Sequence, residues 1–222
     1  MYYPGEIKTP GLELMLVLVR VVYFAALVLI TAGAGMVAGL PPVVSGTIGG
    51  FDALAYLEER LGRPLDRAET ARRHKARHLE LTAARSVYPG VLEIIEAAEK
   101  TGLLLGVASS SSRGWVTGHL GRLGLLPRFH AVKCRDDVEK VKPDPELYLA
   151  VMRDLKVKPA EAIAFEDSLP GIEAAKAAGI FCVAVPSELT KGFDFGRADL
   201  RLDSLAGVEL AWLLARANGE AA

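Results

Sequence analysis

Four consecutive serines, Ser109 to Ser112, follow the apolar run Leu103 to Ala108 and precede a stretch of helical character. At a strand end their hydroxyls and backbone N–H groups could converge on an anion at a helix N-terminus, although the same residues could also form a plain polar turn. Lys142 lies in Val141-Lys142-Pro143-Asp144-Pro145. The two prolines stiffen the loop ahead of a helix and so narrow the directions open to a cation that, alone on a surface, is usually just solvated. Glu166 and Asp167 close another apolar run, Ala162 to Phe165, ahead of Pro170-Gly171. Paired carboxylates there suit Mg²⁺, a hard cation that takes oxygen ligands and keeps several waters. The alternative for Asp167 and Ser168 is capping of the following helix. A hydroxyl, an ammonium and two carboxylates in this order can hold a phosphate and a divalent cation, the equipment of phosphoryl transfer. That chemistry needs an attacking group as well, and no Asp occurs before Asp52.

The elements that must bring these clusters together are legible from Tyr88 onward. Val91 to Lys100 has the spacing of an amphipathic helix, with Gly102 as its terminating glycine, and Leu103 to Ala108 reads as a buried parallel strand. Helices are predicted over Arg113 to Leu123, Pro145 to Leu155, Leu169 to Ala178 and Val208 to Arg216. Short strands are predicted over Ala131 to Cys134, Ala162 to Phe165, Phe181 to Val185 and Leu200 to Leu202. Strands alternating with helices at this spacing give an α/β fold with a doubly wound, Rossmann-like parallel sheet, in which ligands bind outside the carboxyl ends of the strands. All three polar clusters fall at such ends.

The bounds agree with one α/β domain carrying a small appendage: 222 residues, 51% hydrophobic, formal net charge −1. Near-balanced charge gives no reason to expect nucleic acid as a partner, which would call for concentrated Lys and Arg. Cys134 and Cys182 are far apart in apolar or mixed runs and read as reduced, buried thiols of a cytoplasmic protein. Between Phe51 and Arg85 the pattern is that of two helices, the second opened by Asp66 with Glu69 three residues on. This second stretch carries Arg67, Arg72, Arg73, Lys75, Arg77 and Arg85, with His74 and His78 four apart; a metal pair or an anion-binding patch is the alternative, but it reads as a solvated face, since no acidic or Cys ligand accompanies the histidines.

VASSSSR, KVKPDPELY and AFEDSLPGIEAAKAAG resemble the second, third and fourth motifs of the haloacid-dehalogenase superfamily, in its β-phosphoglucomutase-like and phosphoglycolate-phosphatase-like branch. The resemblance runs from about Pro41 to the C-terminus. It implies a Mg²⁺-dependent phosphatase or phosphomutase acting on a small phosphorylated metabolite. Carried over residue by residue, it implies that Ser109 binds a phosphoryl oxygen with help from the backbone amide of Ser110. Lys142 would neutralise charge on phosphate and nucleophile, and Arg113 would touch a second substrate group. Asp167 would ligate Mg²⁺ directly, with Glu166 in or near its shell. Residues 41–86 would form the small helical cap, and 87–222 the Rossmann-like core.

The chain departs from the family at the first motif, where an N-terminal strand should end in Asp-x-Asp-Gly and the first Asp attacks phosphorus. Residues 1–40 instead hold an apolar run, Leu14 to Leu40, with the single charge Arg20, and Glu6 and Glu13 lack a matching context. The run admits two structures, a buried strand with a Gly-rich turn and helix, or a membrane anchor, since about 20 apolar residues cross a bilayer. A cleaved signal peptide fits less well, because acidic residues precede the run. The abrupt change of composition near Pro41 also fits an altered beginning joined to an otherwise conventional chain. Three explanations compete: a phosphate-ester enzyme lineage impaired by the loss of its nucleophile, which is preferred; a membrane-anchored pseudoenzyme that still binds phosphorylated ligands; and dehalogenation, which also needs the absent Asp and against which the Glu166-Asp167 pair argues. Substrate identity and oligomeric state are not encoded in these patterns.

Overall fold

The structure, a computed structural model, describes residues 15–18, 53–83, 87–187 and 190–219. Among the described residues six parallel strands make one sheet in the order β3-β2-β1-β4-β5-β6. They are β1 (Met15–Leu18), β2 (Leu104–Ala108), β3 (Ala131–Lys133), β4 (Ala162–Glu166), β5 (Phe181–Ala184) and β6 (Leu200–Arg201). The helices are α1 (Ala53–Leu61), α2 (Arg67–Ala83), α3 (Val91–Lys100), α4 (Arg113–Arg122), α5 (Glu146–Leu155), α6 (Leu169–Ala177) and α7 (Leu210–Ala217). The chain winds outward from β1 to β3, crosses back, and winds outward again from β4 to β6. The doubly wound, Rossmann-like α/β fold expected from the alternating pattern is therefore the one adopted.

Alternation along each strand explains why both sheet faces are buried. In β4, Ala162 and Ala164 join one core cluster while Ile163 and Phe165 join the other. Cys182 and Ala184 face the first cluster from β5, and Val183 faces the second. The first face is lined by small residues, which lets the large side chains of α5 and α6 (Leu147, Tyr148, Val151 and Ile172) approach closely. The second face carries the large strand residues and packs against Ile94 and Ile95 of α3, Leu120 of α4 and Leu213 of α7. Both cysteines are free and fully buried, and burial pushes the Cys134 thiol up to about 11, so neither is a reactive thiolate at neutral pH.

Local signals act where the sequence puts them. Gly102 and Gly179 end α3 and α6 with φ of 74° and 76°, a conformation that favours glycine. Asp66 caps α2 by accepting the Glu69 N–H at 2.9 Å. On α2, Arg67 pairs with Glu58 of α1, Arg72 with Glu69 and Arg77 with Glu80.

The apolar run Leu14 to Leu40 supplies β1 through Met15–Leu18, paired on one side with β2 and on the other with β4. Its strand reading is thus realised in those four residues, at the centre of the sheet. The rest of the run, and with it the anchor reading, lies outside the described residues. Among the described residues no helix is long and apolar enough to cross a membrane.

Candidate active site

The winding reverses between β1 and β4, and at such a switch point a doubly wound sheet receives ligands outside the carboxyl ends of its strands. Neighbouring strands lie about 4.8 Å apart, so the ends of β2 and β4 stand about 10 Å apart with β1 between them. Leu18, the last residue of β1, is level with Phe165, immediately before Glu166 and Asp167. The residues that continue from Leu18 read Val-Arg-Val-Val-Tyr and contain no carboxylate.

Lys142 closes this gap from the β3 to β4 crossover. Its Nζ donates to the carbonyl oxygen of Ala108, the last residue of β2, at 2.9 Å and to Glu166 Oε1, at the end of β4, at 2.6 Å. Lysine and glutamate are 6% and 2% exposed, so the pair is effectively buried. A buried ion pair is tolerated only when further hydrogen bonds satisfy it. Tyr148 supplies one: its hydroxyl donates to Glu166 Oε1 at 2.7 Å, and its ring centroid lies 4.7 Å from Lys142 Nζ. Ser168 supplies another, donating from Oγ to Glu166 Oε2 at 3.3 Å. Gly171 leaves room for this carboxylate, since a Cβ there would overlap it.

The loop that presents Lys142 is held by the first turn of α5. Glu146 accepts the N–H groups of Glu139 and Lys140 at 3.0 and 2.8 Å, which holds its own carboxyl below the ordinary range, and Asp144 Oδ1 accepts the Glu146 N–H at 3.0 Å. Pro145 precedes the helix at its N-cap, as the sequence anticipates.

The serine turn leads directly from β2 into α4. Ser109 N–H donates to Lys133 O at 2.9 Å, and Ser109 Oγ accepts the Ser111 N–H at 3.2 Å, so the turn is folded back on itself beside the Lys142 ammonium. Ser109 and Ser110 are both half-buried. Arg113, expected at a ligand, has its guanidinium elsewhere: Nη2 donates to Asp137 Oδ2 at 2.6 Å and to Val132 O at 3.3 Å. Its backbone N–H donates to Asp136 Oδ2 at 2.6 Å. Arg113 therefore ties the serine turn to β3 and the 135–137 turn, because two acidic residues there outcompete solvent for it.

Glu166 and Asp167, expected together at a metal, line one cavity but differ in burial. Glu166 Oε1 is committed to Lys142 and Tyr148, as the lysine needs a counter-charge once buried. Asp167 is half-buried just past the end of β4 and, like Glu166, lines a cavity of about 150 Å³ with Tyr88, Phe165, Ser187, Asp203 and Leu205. Capping of α6 falls to Ser168, whose Oγ accepts the Gly171 N–H at 3.3 Å. No group of three or more His, Cys, Asp or Glu side chains able to hold a metal occurs among the described residues. An oxygen-only pair of carboxylates nevertheless suits Mg²⁺, which is commonly held by one or two carboxylates together with waters and substrate phosphate.

Sequence patterns alone gave no role to Tyr148, Glu146 or Gly171. Tyr148 carried a usable signal: a tyrosine on the apolar stripe of α5 buries a hydroxyl that must find a partner.

Comparison with known proteins adds a context for this geometry. A sequence profile for the family described as haloacid dehalogenase-like hydrolase matches residues 50–185. The Bacillus subtilis (strain 168) protein YhcW, provisionally named a phosphatase, is 44% identical over 177 residues, 80% of this chain and 80% of its own length. Structures of CbbY from Rhodobacter sphaeroides, one with phosphate and one of a mutant with xylulose-(1,5)bisphosphate, are 34% identical with a TM-score of 0.59. Each similarity covers 67% of this chain and 68% of that one.

Proposed function

Because the chain belongs to the haloacid dehalogenase-like hydrolase family, we propose that it receives a small phosphorylated metabolite at the carboxyl ends of β1, β2 and β4, together with Mg²⁺. Its ligands are then phosphate esters of the kind handled by phosphatases and phosphomutases, as the names of YhcW and the ligands of CbbY suggest. The observation that carries the proposal is the Lys142 ammonium, buried and fixed between the end of β2 and the end of β4. A cation held there, away from bulk water, interacts with a dianionic phosphoryl group far more strongly than a surface lysine would.

In this reading the Ser109 hydroxyl and the Ser110 N–H hold a phosphoryl oxygen at the start of α4, where the helix dipole favours an anion. Lys142 balances the phosphate charge. Asp167 holds Mg²⁺, with Glu166 beside the shell and engaged mainly with the lysine, and the bound ion would neutralise part of the phosphate charge. Arg113 acts from a distance by keeping the serine turn in place. Helices α1 and α2 serve as the cap over the site.

Turnover is impaired in this proposal. β1 ends level with the β4 carboxylates, and the residues that follow it in sequence offer no carboxylate to attack phosphorus. Losing a nucleophile costs about 10⁴-fold or more in rate, leaving only the assistance of the binding groups. The test is calorimetric titration with inorganic phosphate in the presence of Mg²⁺, alongside hydrolysis of p-nitrophenyl phosphate. Phosphate should bind to the wild-type chain and not to Lys142→Ala, and neither should hydrolyse the ester. Hydrolysis by the wild-type chain that disappears in Lys142→Ala would refute the impairment.

A second reading rests on the sequence after Leu18, where Val19 to Leu40 is largely apolar and Arg20 is its single charge. There the same phosphate-binding domain is a membrane-tethered pseudoenzyme. Retention in membranes washed with alkaline carbonate is its expected behaviour, and release by that wash excludes it.

A further inference from the structure

We propose that Tyr148 is a positioning residue: through Glu166, its hydroxyl sets the direction in which Lys142 presents its ammonium to a bound phosphate. The inference deepens the phosphate-binding reading above and rests on it for its functional consequence, though not for its geometry.

Tyr148 is fully buried on the sheet-facing side of α5, packed among Leu147, Val151 and the small residues of β4 and β5. Phenylalanine would fill the same space. What the hydroxyl adds is a hydrogen bond to Glu166 Oε1, the same oxygen that receives Lys142 Nζ. The ring adds a second contact, with its centroid 4.7 Å from that ammonium. Tyr148 thus meets both halves of the ion pair.

A lysine head on a four-carbon stem has many rotamers, and a carboxylate can turn about its last bond. Here neither freedom survives. Glu166 Oε1 receives two donors, Oε2 receives Ser168 Oγ, and the space behind the carboxylate is closed by the backbone of Gly171. With the carboxylate fixed, Glu166 Oε1 and Ala108 O direct two of the three ammonium hydrogens, and tetrahedral geometry then fixes the third. Burial, and next the Glu166 charge, raise the ionisation of the phenol well above its ordinary value, so it remains a donor throughout the neutral range. Lys142 and Tyr148 also stand on either side of Pro143 and Pro145, so docking of α5 seats the lysine loop and its anchor together.

The experiment compares the full-length wild-type chain with Tyr148→Phe, which keeps the ring. Amines are labelled with acetic anhydride, and the labelling rate of Lys142 is read by mass spectrometry relative to exposed Lys140. Loss of a hydrogen bond to a charged group corresponds to about a tenfold change, and the Lys142 to Lys140 ratio should rise by about that factor in Tyr148→Phe. Affinity for inorganic phosphate, measured by calorimetry, should fall about tenfold as well. Val151→Ala, on the same face of α5, should lower stability and leave the ratio unchanged, which separates positioning from packing. An unchanged ratio in Tyr148→Phe, or an equal rise in Val151→Ala, overturns the inference even if phosphate binds normally. A raised ratio in a chain that binds no phosphate would leave the positioning intact and remove the phosphate reading instead.

Discussion

Lys142 and Glu166 depend on each other in a way that makes single substitutions costly. Lys142→Ala leaves a carboxylate that is 2% exposed without its counter-charge, and breaking a buried pair this way costs about 3–5 kcal/mol. We expect the unfolding free energy from urea titration to fall by about that amount, together with loss of phosphate binding. A variant that is fully stable would show that water reaches Glu166. Gly171→Ala tests the same carboxylate from behind. Its added methyl overlaps Glu166, so the carboxylate must turn away from Lys142, and phosphate affinity measured by calorimetry should fall while α6 itself gains helix propensity. Asp167 tests the proposed Mg²⁺ site: Mg²⁺ should raise the melting temperature of the wild-type chain and leave that of Asp167→Ala unmoved. A shift of equal size in both would remove Asp167 from the metal site.

At the level of elements, the serine turn and the lysine loop are held by different devices, and each can be loosened separately. The turn is tied to the end of β3 by Arg113, Asp136 and Asp137. Burial raises the Asp137 carboxyl, but the hydrogen bonds from Arg113 and from the Cys134 N–H outweigh it, so the group ionises below its ordinary value. A depressed carboxyl contributes stability that is complete above the unfolded value of about 3.9 and disappears as pH falls through the folded value. Urea midpoints taken between pH 7 and pH 3 should therefore drop more steeply on the acid side for the wild-type chain than for Asp137→Asn. Equal slopes would mean that the pair with Arg113 adds nothing to stability. The lysine loop instead hangs on Glu146, which gathers two backbone N–H groups of the segment just ahead of Lys142. Glu146→Ala should raise hydrogen exchange at Glu139 and Lys140 and weaken phosphate binding without unfolding α5.

Across the whole molecule, the doubly wound order places β1 at the centre and sends the chain out and back around it, so residues far apart in sequence end at one rim. The sequence by itself determined the alternation of strands and helices, because short apolar runs and a 3.6-residue period in apolar residues are local properties. α3 spans the residues its spacing predicts, and the other strands and helices from Leu103 to the C-terminus differ by a residue or two at their ends. It also marked Ser109, Glu166 and Asp167 as belonging to strand ends, since an apolar run that stops at polar residues shows its own boundary, and Lys142 as part of a proline-stiffened loop ahead of a helix. Pairing is another matter. That Lys142 reaches over β1 to Ala108 and Glu166, that Arg113 turns to Asp137, and that Tyr148 stands beneath the ion pair follow from strand order and helix docking, which bring together residues six to thirty-four positions apart. The same holds for Met15–Leu18: within a long uniform apolar run no local signal singles out four residues, and only hydrogen bonding to β2 and β4 selects them as the central strand.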